Sequence, residues 1–306
     1  MSDSDETAMN PEEDLSAIAY FGSEEETRRL WSLLQRHIRL LVQARDSLAK
    51  EPGEVWSVVY RLLWAVVDSA ESFAILCPKP QLRDCYVVAR TVLETITNAC
   101  FICAGGETVA KRADRHARQK AYRDLERDFE VGRRKITLRW TGKPDRPLAD
   151  PDLMTALTEF TNRKGGERKE WTPESIGRRL EIVQGKYGPA ATVGLHFALF
   201  DVYRHASEVA HGTLFGALFS LGLTEPKGRP RGEAEIQEHF WSHMCSLLLM
   251  LNAAFNSLIL VLAQEAPHLN ELASRSNELR RLLRVKTKNG PTRQARSRYR
   301  VEYGSA

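Results

Sequence analysis

Apolar residues recur every three to four positions along most of this chain, the spacing that places them on one face of an α-helix. The first such run predicts a helix from Ser23 to about Ala49, capped by the Ser23 hydroxyl. Pro52 and Gly53 end it, and a second helix is predicted from Glu54 to about Leu76. Because the link between the two is so short, they should pack antiparallel.

The same periodicity continues to the end of the chain. Further helices are predicted over Gln81 to Ala104, Thr108 to Arg134, Pro151 to Asn162, Pro173 to Gly185, Ala190 to Leu221 and Glu233 to Gln264, with a closing helix after Pro267. Gly and Pro residues mark a loop or short hairpin between Lys135 and Asp150, and no sustained strand-type alternation appears. The sequence therefore predicts an all-α protein, a multi-helix bundle of long, mostly antiparallel helices that forms one domain over residues 23–284.

Charge is unevenly distributed, although the net charge is only +4. From Met1 to Glu26 there are nine acidic residues and no basic ones, and from Arg280 to Arg300 nine basic residues and no acidic ones. Both ends carry few large apolar side chains, so residues 1–22 and 285–306 are predicted to be disordered tails. The basic tail is either plain solvated chain or an electrostatic arm for RNA or an acidic partner.

Cysteine usage bears on the compartment and on metals. The five cysteines stand in apolar surroundings and no signal-peptide pattern opens the chain, which predicts a cytoplasmic location. Cys100 and Cys103 have the spacing of half a zinc site, but no second close pair exists, so neither metal nor cofactor is expected.

One segment is long and apolar enough to span a bilayer. Met244 to Ala263 carries no charge over 20 residues. Its serines and asparagines, and the lack of flanking basic clusters, favour instead a central helix surrounded by other helices. We therefore expect no membrane contact.

A polar stripe interrupts the otherwise apolar helix predicted over Ala190 to Leu221. Tyr203, Ser207 and His211 recur at intervals of four and share a face. Arg204 and His211 are seven apart, so their side chains lie within about 20° of one line along the helix. His205 stands at the edge of this sector.

Polar groups in such a helix need partners or a wet cleft, because desolvating a charge alone is costly. Glu94 is a candidate partner for Arg204, and Arg90, one turn before Glu94, is a candidate to pair with Glu94 within the third predicted helix. Two interpretations follow. The stripe is either a buried network that fixes helix register, or a site in which His moves protons and Arg holds a phosphate.

The stripe resembles two known families. The segment Tyr203 to Gly212, with Arg90-x-x-x-Glu94, is similar to a bacterial helical domain family of unknown function with Arg-x-x-x-Glu and Tyr-x-x-x-Ser-x-x-x-His-Gly motifs. It also resembles the active motif of HEPN (higher eukaryotes and prokaryotes nucleotide-binding) ribonucleases, in which an Arg is followed after four to six residues by a His. Arg204, His205 and His211 fit that motif.

The HEPN resemblance implies a function. In that family two copies of a helical bundle meet across a dimer and cut RNA without metal or cofactor. Carried over, it implies that His211 is general base or acid toward the ribose 2′-hydroxyl and that Arg204 stabilises the phosphorane, leaving a cyclic phosphate. Supporting residues would be Tyr203, His205, Ser207, Arg90 and Glu94. The resemblance also implies toxin–antitoxin or antiphage defence, a homodimer, and RNA or an antitoxin-like protein as partner.

Two other functions stay open. The chain could be a non-catalytic interaction or sensor module whose stripe is a buried polar network. A di-iron helical bundle is the third, since the segments Glu208–His211 and Glu265–His268 both have Glu-x-x-His spacing, with Glu71 and Glu94 as further carboxylates. Pro267 interrupts helical geometry in the second segment.

Overall fold

Helices make up most of the computed structural model, which describes residues 22–79, 81–140, 150–223 and 232–283. In chain order they are α1 (Glu24–Leu48), α2 (Glu54–Leu76), α3 (Leu82–Asp124), α4 (Pro151–Glu159), α5 (Ile176–Tyr187), α6 (Pro189–Ala198), α7 (Arg204–Ala210), α8 (Leu214–Ser220), α9 (Glu233–Glu265) and α10 (Asn270–Leu282). The all-α prediction is confirmed. Apart from Gly22, the charged tails lie outside the described residues, and the single domain over residues 23–284 stays a prediction.

Local signals place the first helices where the sequence predicts them. The Ser23 hydroxyl accepts a hydrogen bond from the Glu26 amide at 3.1 Å, which caps α1. Acidic residues at positions 24–26 then face the positive end of the helix dipole. Gly53, with φ 106°, provides the tight link into α2.

Helix α9, which contains the long uncharged run, is the centre of the bundle and packs against α1, α3, α6 and α10. Of the described helices, α3 and α9 are long and apolar enough to cross a membrane by length and composition alone. In α9, 89% of the most apolar 18-residue stretch is buried by neighbouring helices. Burial on all sides accounts for its uncharged run.

Helix α6 approaches α9 unusually closely at Gly194. A Cβ atom built at this position would lie 2.3 Å from the carbonyl oxygen of Ala253. Because this atom belongs to the α9 backbone, a side chain at position 194 would push the two helices apart.

Replacing Gly194 by alanine should therefore lower the free energy of unfolding by roughly 1 to 3 kcal/mol, the usual cost of overpacking. Gly185→Ala on α5 is the matched control, since nothing lies within 4 Å of a Cβ there. In a helix interior that change should stabilise by about 0.5 to 1 kcal/mol. Chemical denaturation measures both, and equal effects of the two variants would contradict the close contact.

The predicted break between the helix over Gln81 to Ala104 and the helix over Thr108 to Arg134 is confirmed, because Gly106 has a non-helical backbone (φ 68°, ψ −155°) that divides α3 into two helical segments. The second of these predicted helices is wrong at its end. It stops at Asp124, and an antiparallel hairpin of β1 (Glu126–Val131) and β2 (Arg134–Arg139) follows. Each strand is only six residues long and rich in charge, so its alternation is a weak signal in the sequence.

The predicted helix from Ala190 to Leu221 is also wrong, because it divides into α6, a π-helical turn (Leu199–Tyr203), α7 and α8. After α7 the chain reverses at Gly212, which has φ 64°. Gly216 lets α8 fold back onto α7, since a Cβ there would lie 2.5 Å from the carbonyl oxygen of Glu208. The apolar period continues through this turn and hides it in the sequence.

Candidate functional site

The polar stripe is split between two sides of α7. Its inner side, with Ala206 and Val209 fully buried, packs on α3. Tyr203 also faces α3, whereas Arg204 and His211 point away from the bundle and are exposed. The stripe is therefore not one site but an inner network and an outer face.

The inner network joins Arg90, Glu94 and Tyr203. The Arg90 Nε donates to Glu94 Oε1 at 2.9 Å, and its Nη2 donates to the Tyr203 hydroxyl at 3.3 Å. The Arg90 guanidinium also lies 4.6 Å from the centre of the Tyr203 ring. Burial alone lowers the pKa of Arg90, but the hydrogen bond and charge of Glu94 outweigh it, so the pKa is raised. The predicted pairing of Arg90 with Glu94 is thus present, and it holds α3 against the start of α7.

Sequence reasoning missed a second arginine beside this network. Arg179 of α5 donates to Asn98 of α3 and, at 3.0 Å, to the carbonyl oxygen of Glu174. Burial lowers its pKa, while the charges of Glu94 and Tyr203 oppose the shift. Nothing in the local pattern of α5 marks Arg179, because Asn98 and Glu94 lie on α3, far earlier in the chain.

His205 belongs to a buried aromatic cluster rather than to a reactive surface. Its Nδ1 donates to the Asp201 carbonyl at 3.1 Å, and its ring stacks on Phe219 with centroids 4.4 Å apart. Tyr86 and His243, joined by a 2.9 Å hydrogen bond, pack against the same Phe219 ring. This cluster joins α3, α7, α8 and α9, and His205 contributes packing contacts to it.

The Glu-x-x-His segments do not meet. Glu208 accepts a 2.8 Å hydrogen bond from Thr213, which secures the turn between α7 and α8. Glu265 lies at the far end of α9, where it accepts from Tyr187 at 2.9 Å. Ser246, the α9 residue bonded to Asp201 near α7, is nineteen residues away, or about 28 Å along the helix. Within the described residues no three His, Cys, Asp or Glu side chains are grouped to hold a metal, and the geometry leaves no shared di-iron site.

The outer face, defined here as Phe200, Arg204, Ser207 and His211, is what remains available for a ligand. Arg204 and His211 are exposed, and no side-chain hydrogen bond or ion pair to them exists among the described residues. The candidate pairing of Arg204 with Glu94 is wrong, because Glu94 pairs with Arg90 on the other side of α7. Ser207, the fourth member of the outer face, is half-buried.

Phe200 is the unexpected member of the outer face. The sequence suggests that it joins the apolar side of the helix, yet it is 85% exposed. It lies in the π-helical turn, four residues before Arg204, and helical spacing puts the two on one side. Irregular π turns are frequent at functional sites. An exposed aromatic ring beside a free guanidinium and a free imidazole suits the binding of a nucleotide chain.

Fold and site together define an all-α bundle that carries an arginine–histidine pair on its outer surface. The chain belongs to a family of unknown function, DUF5677, whose model matches residues 57–228, from α2 through α8. This confirms the expected membership of a family of unknown function. No curated protein and no solved structure is significantly similar to the chain.

Proposed function

We propose that this protein is a metal-independent ribonuclease of the HEPN type whose working surface is the outer face. One observation carries the proposal: Arg204 and His211 are exposed and take no part in holding the described fold together. A purely structural network would pair such groups with each other, as it does Arg90 and Glu94. We further propose a cytoplasmic setting in defence or toxin–antitoxin systems, in keeping with five buried free thiols.

The chemistry follows from the spacing of the pair. Arg204 and His211 are seven residues apart, or about 10 Å along the helix axis. Their two side chains can therefore both reach one phosphodiester that lies between them. The His211 imidazole accepts the 2′-hydroxyl proton or supplies a proton to the leaving 5′-oxygen. The Arg204 guanidinium stabilises the charge that builds on phosphorus, and Phe200 provides a surface on which a base can stack.

The direct test is cleavage of single-stranded RNA by the purified full-length chain in the presence of EDTA. Cleavage that leaves 2′,3′-cyclic phosphate ends supports the proposal, because that product requires attack by the neighbouring hydroxyl. Activity that EDTA abolishes, or ends without a cyclic phosphate, would contradict it.

Phe200→Ala should weaken binding of single-stranded RNA by about tenfold, because stacking of one base on an aromatic ring contributes roughly 1 to 3 kcal/mol. Ile75→Ala on α2 is the matched control, since Ile75 is also an exposed large apolar residue but lies outside the outer face. Fluorescence anisotropy with a labelled oligonucleotide measures both. Equal affinities for the two variants would remove Phe200 from the binding surface.

A non-catalytic interaction module is the second candidate, and α8 gives it a specific basis. Leu214, the first residue of α8, and Leu221, the residue that follows its last turn, are 75% and 60% exposed. Their spacing is that of an amphipathic helix face that packs on a partner. If the chain binds RNA without cleaving it, or binds none, this function is favoured.

A further inference from the structure

The β1–β2 hairpin projects from the bundle. The Trp140 amide donates to the Leu125 carbonyl at 2.9 Å at its base, and every residue from Arg127 to Trp140 is exposed. Two-stranded hairpins are marginally stable when nothing packs on them. Something outside the described residues is therefore needed to stabilise this one.

The register sorts the side chains onto two unlike faces. Phe129 pairs with Ile136, and alternation puts the other large apolar residues on the same side as this pair. The five members of this apolar hairpin face, each between 48% and 69% exposed, are Phe129, Val131, Ile136, Leu138 and Trp140. The opposite face is polar, with an ion pair of 2.8 Å between Asp128 and Lys135.

Nearby chain does not have the composition to cover this face. The residues that follow it, 141–149, include a single large apolar side chain, Leu148. The five exposed side chains together present roughly 500 to 600 Å², which is at the upper end of the apolar patches found on monomers. A patch of this size, rich in aromatic rings and poor in acidic groups, has the composition of an interface core.

We propose that the apolar hairpin face packs against the same face of a second copy of this chain, forming a two-fold homodimer. Doubling the apolar area gives about 1,100 Å², and the flanking strand edges raise the total to the lower range of specific interfaces. A two-fold axis makes one patch serve both partners. Packed antiparallel, the Arg134 at each hairpin tip lies over the Trp140 at the base of the other, which is a cation–π contact.

Charge at the rim agrees with self-association. Arg127 lies on the apolar side near the hairpin base and forms an ion pair with Asp124. Its charge is therefore neutralised within one copy of the chain. An acidic protein partner would instead need several unpaired basic groups on this face, and only Arg134 remains. The pattern therefore fits a second apolar face better than an acidic one.

The experiment compares the full-length chain with two lysine variants by analytical ultracentrifugation over a micromolar concentration series. Leu138→Lys adds a charge to each side of the interface and removes two leucines from it, so the dimer dissociation constant should rise at least about 100-fold. Thr137→Lys is the matched control, because it adds the same charge one residue away on the polar face, where Asp128 can pair with it. It should leave the dimer intact.

A third variant, Leu221→Lys at the end of α8, separates this interface from the other exposed apolar surface. A monomeric wild-type chain at every concentration would overturn the proposal, as would a dimer that survives Leu138→Lys and dissociates in Leu221→Lys. Far-ultraviolet circular dichroism spectra should show the same helical content for all variants, since each changed side chain is exposed. The dimer proposal does not depend on the ribonuclease proposal, because no residue of the hairpin belongs to the outer face. RNA cleavage is measured in a separate assay, so either proposal can fail without the other.

Discussion

Replacing His211 by alanine is expected to lower the rate of RNA cleavage by roughly 100- to 10,000-fold, the range that a general acid or base contributes. Thermal unfolding should stay unchanged, because the imidazole is exposed and holds no described neighbour. Single-turnover cleavage in EDTA and a circular dichroism melt measure the two quantities on the same preparation. If His211 were part of a structural network instead, the variant would have a lower unfolding temperature.

Variants of Arg204 test the same proposed active site. Arg204→Ala should reduce cleavage to a similar extent, whereas Arg204→Lys should restore part of it, since lysine keeps the charge but loses the two-pronged hydrogen bonding to phosphate. His268→Ala serves as the control, because this partly exposed histidine lies beside Glu51, away from α7. Cleavage at the wild-type rate by His211→Ala would refute the catalytic role, and unfolding of that variant would favour a structural one.

Mild acid is expected to destabilise the fold through His37, a fully buried histidine of α1. Its Nδ1 lies 2.7 Å from Oδ1 of Asn252 on α9. The Asn252 amide nitrogen already donates to the carbonyl oxygens of Leu30 and Leu248. Its oxygen must therefore accept, so neutral His37 carries its proton on Nδ1. Burial lowers the pKa of His37 to about 4, and the hydrogen bond to Asn252 only partly offsets this.

The direction of the effect follows from linkage. An unfolded histidine has its ordinary pKa near 6.5, so between that pH and about 4 the unfolded chain binds more protons than the folded one. The contribution of His37 is complete above pH 6.5 and is lost as the pH falls toward 4, a change of roughly 3 kcal/mol. Urea unfolding at pH 7.5 and at pH values down to about 4 measures it.

A comparison of variants isolates His37 from the carboxylates that also titrate in acid. His37→Gln keeps a neutral donor for Asn252 and should lose most of the difference in unfolding free energy across this pH range. His211→Gln removes an exposed histidine and should retain the wild-type difference. The assignment fails if both variants show the same dependence on pH.

Interactions between residues close in sequence made the positions of several helices predictable. The cap at Ser23, the break at Gly53 and the uncharged run within α9 act over a few residues, so the ends of α1, α2 and α9 agree with their predicted positions within two residues. The Arg90–Glu94 pair was readable for the same reason, because residues four apart on a helix are neighbours. Strand pairing and the reversal at Gly212 give weaker local signals. The loop or short hairpin predicted between Lys135 and Asp150 was therefore placed too late in the chain, since the strands begin at Glu126, and the reversal was missed.

By itself, the sequence determined the helical class and the grouping of Tyr203, Arg204, Ser207 and His211 on one stretch of chain. Only the tertiary structure decided which of these side chains pack against α3 and which are exposed to solvent. The reason is physical: burial depends on the neighbour that packs on each side of a helix, and helical periodicity does not specify that neighbour. Packing of α7 on α3 draws Tyr203 inward and leaves Arg204, His211 and the unforeseen Phe200 facing the solvent.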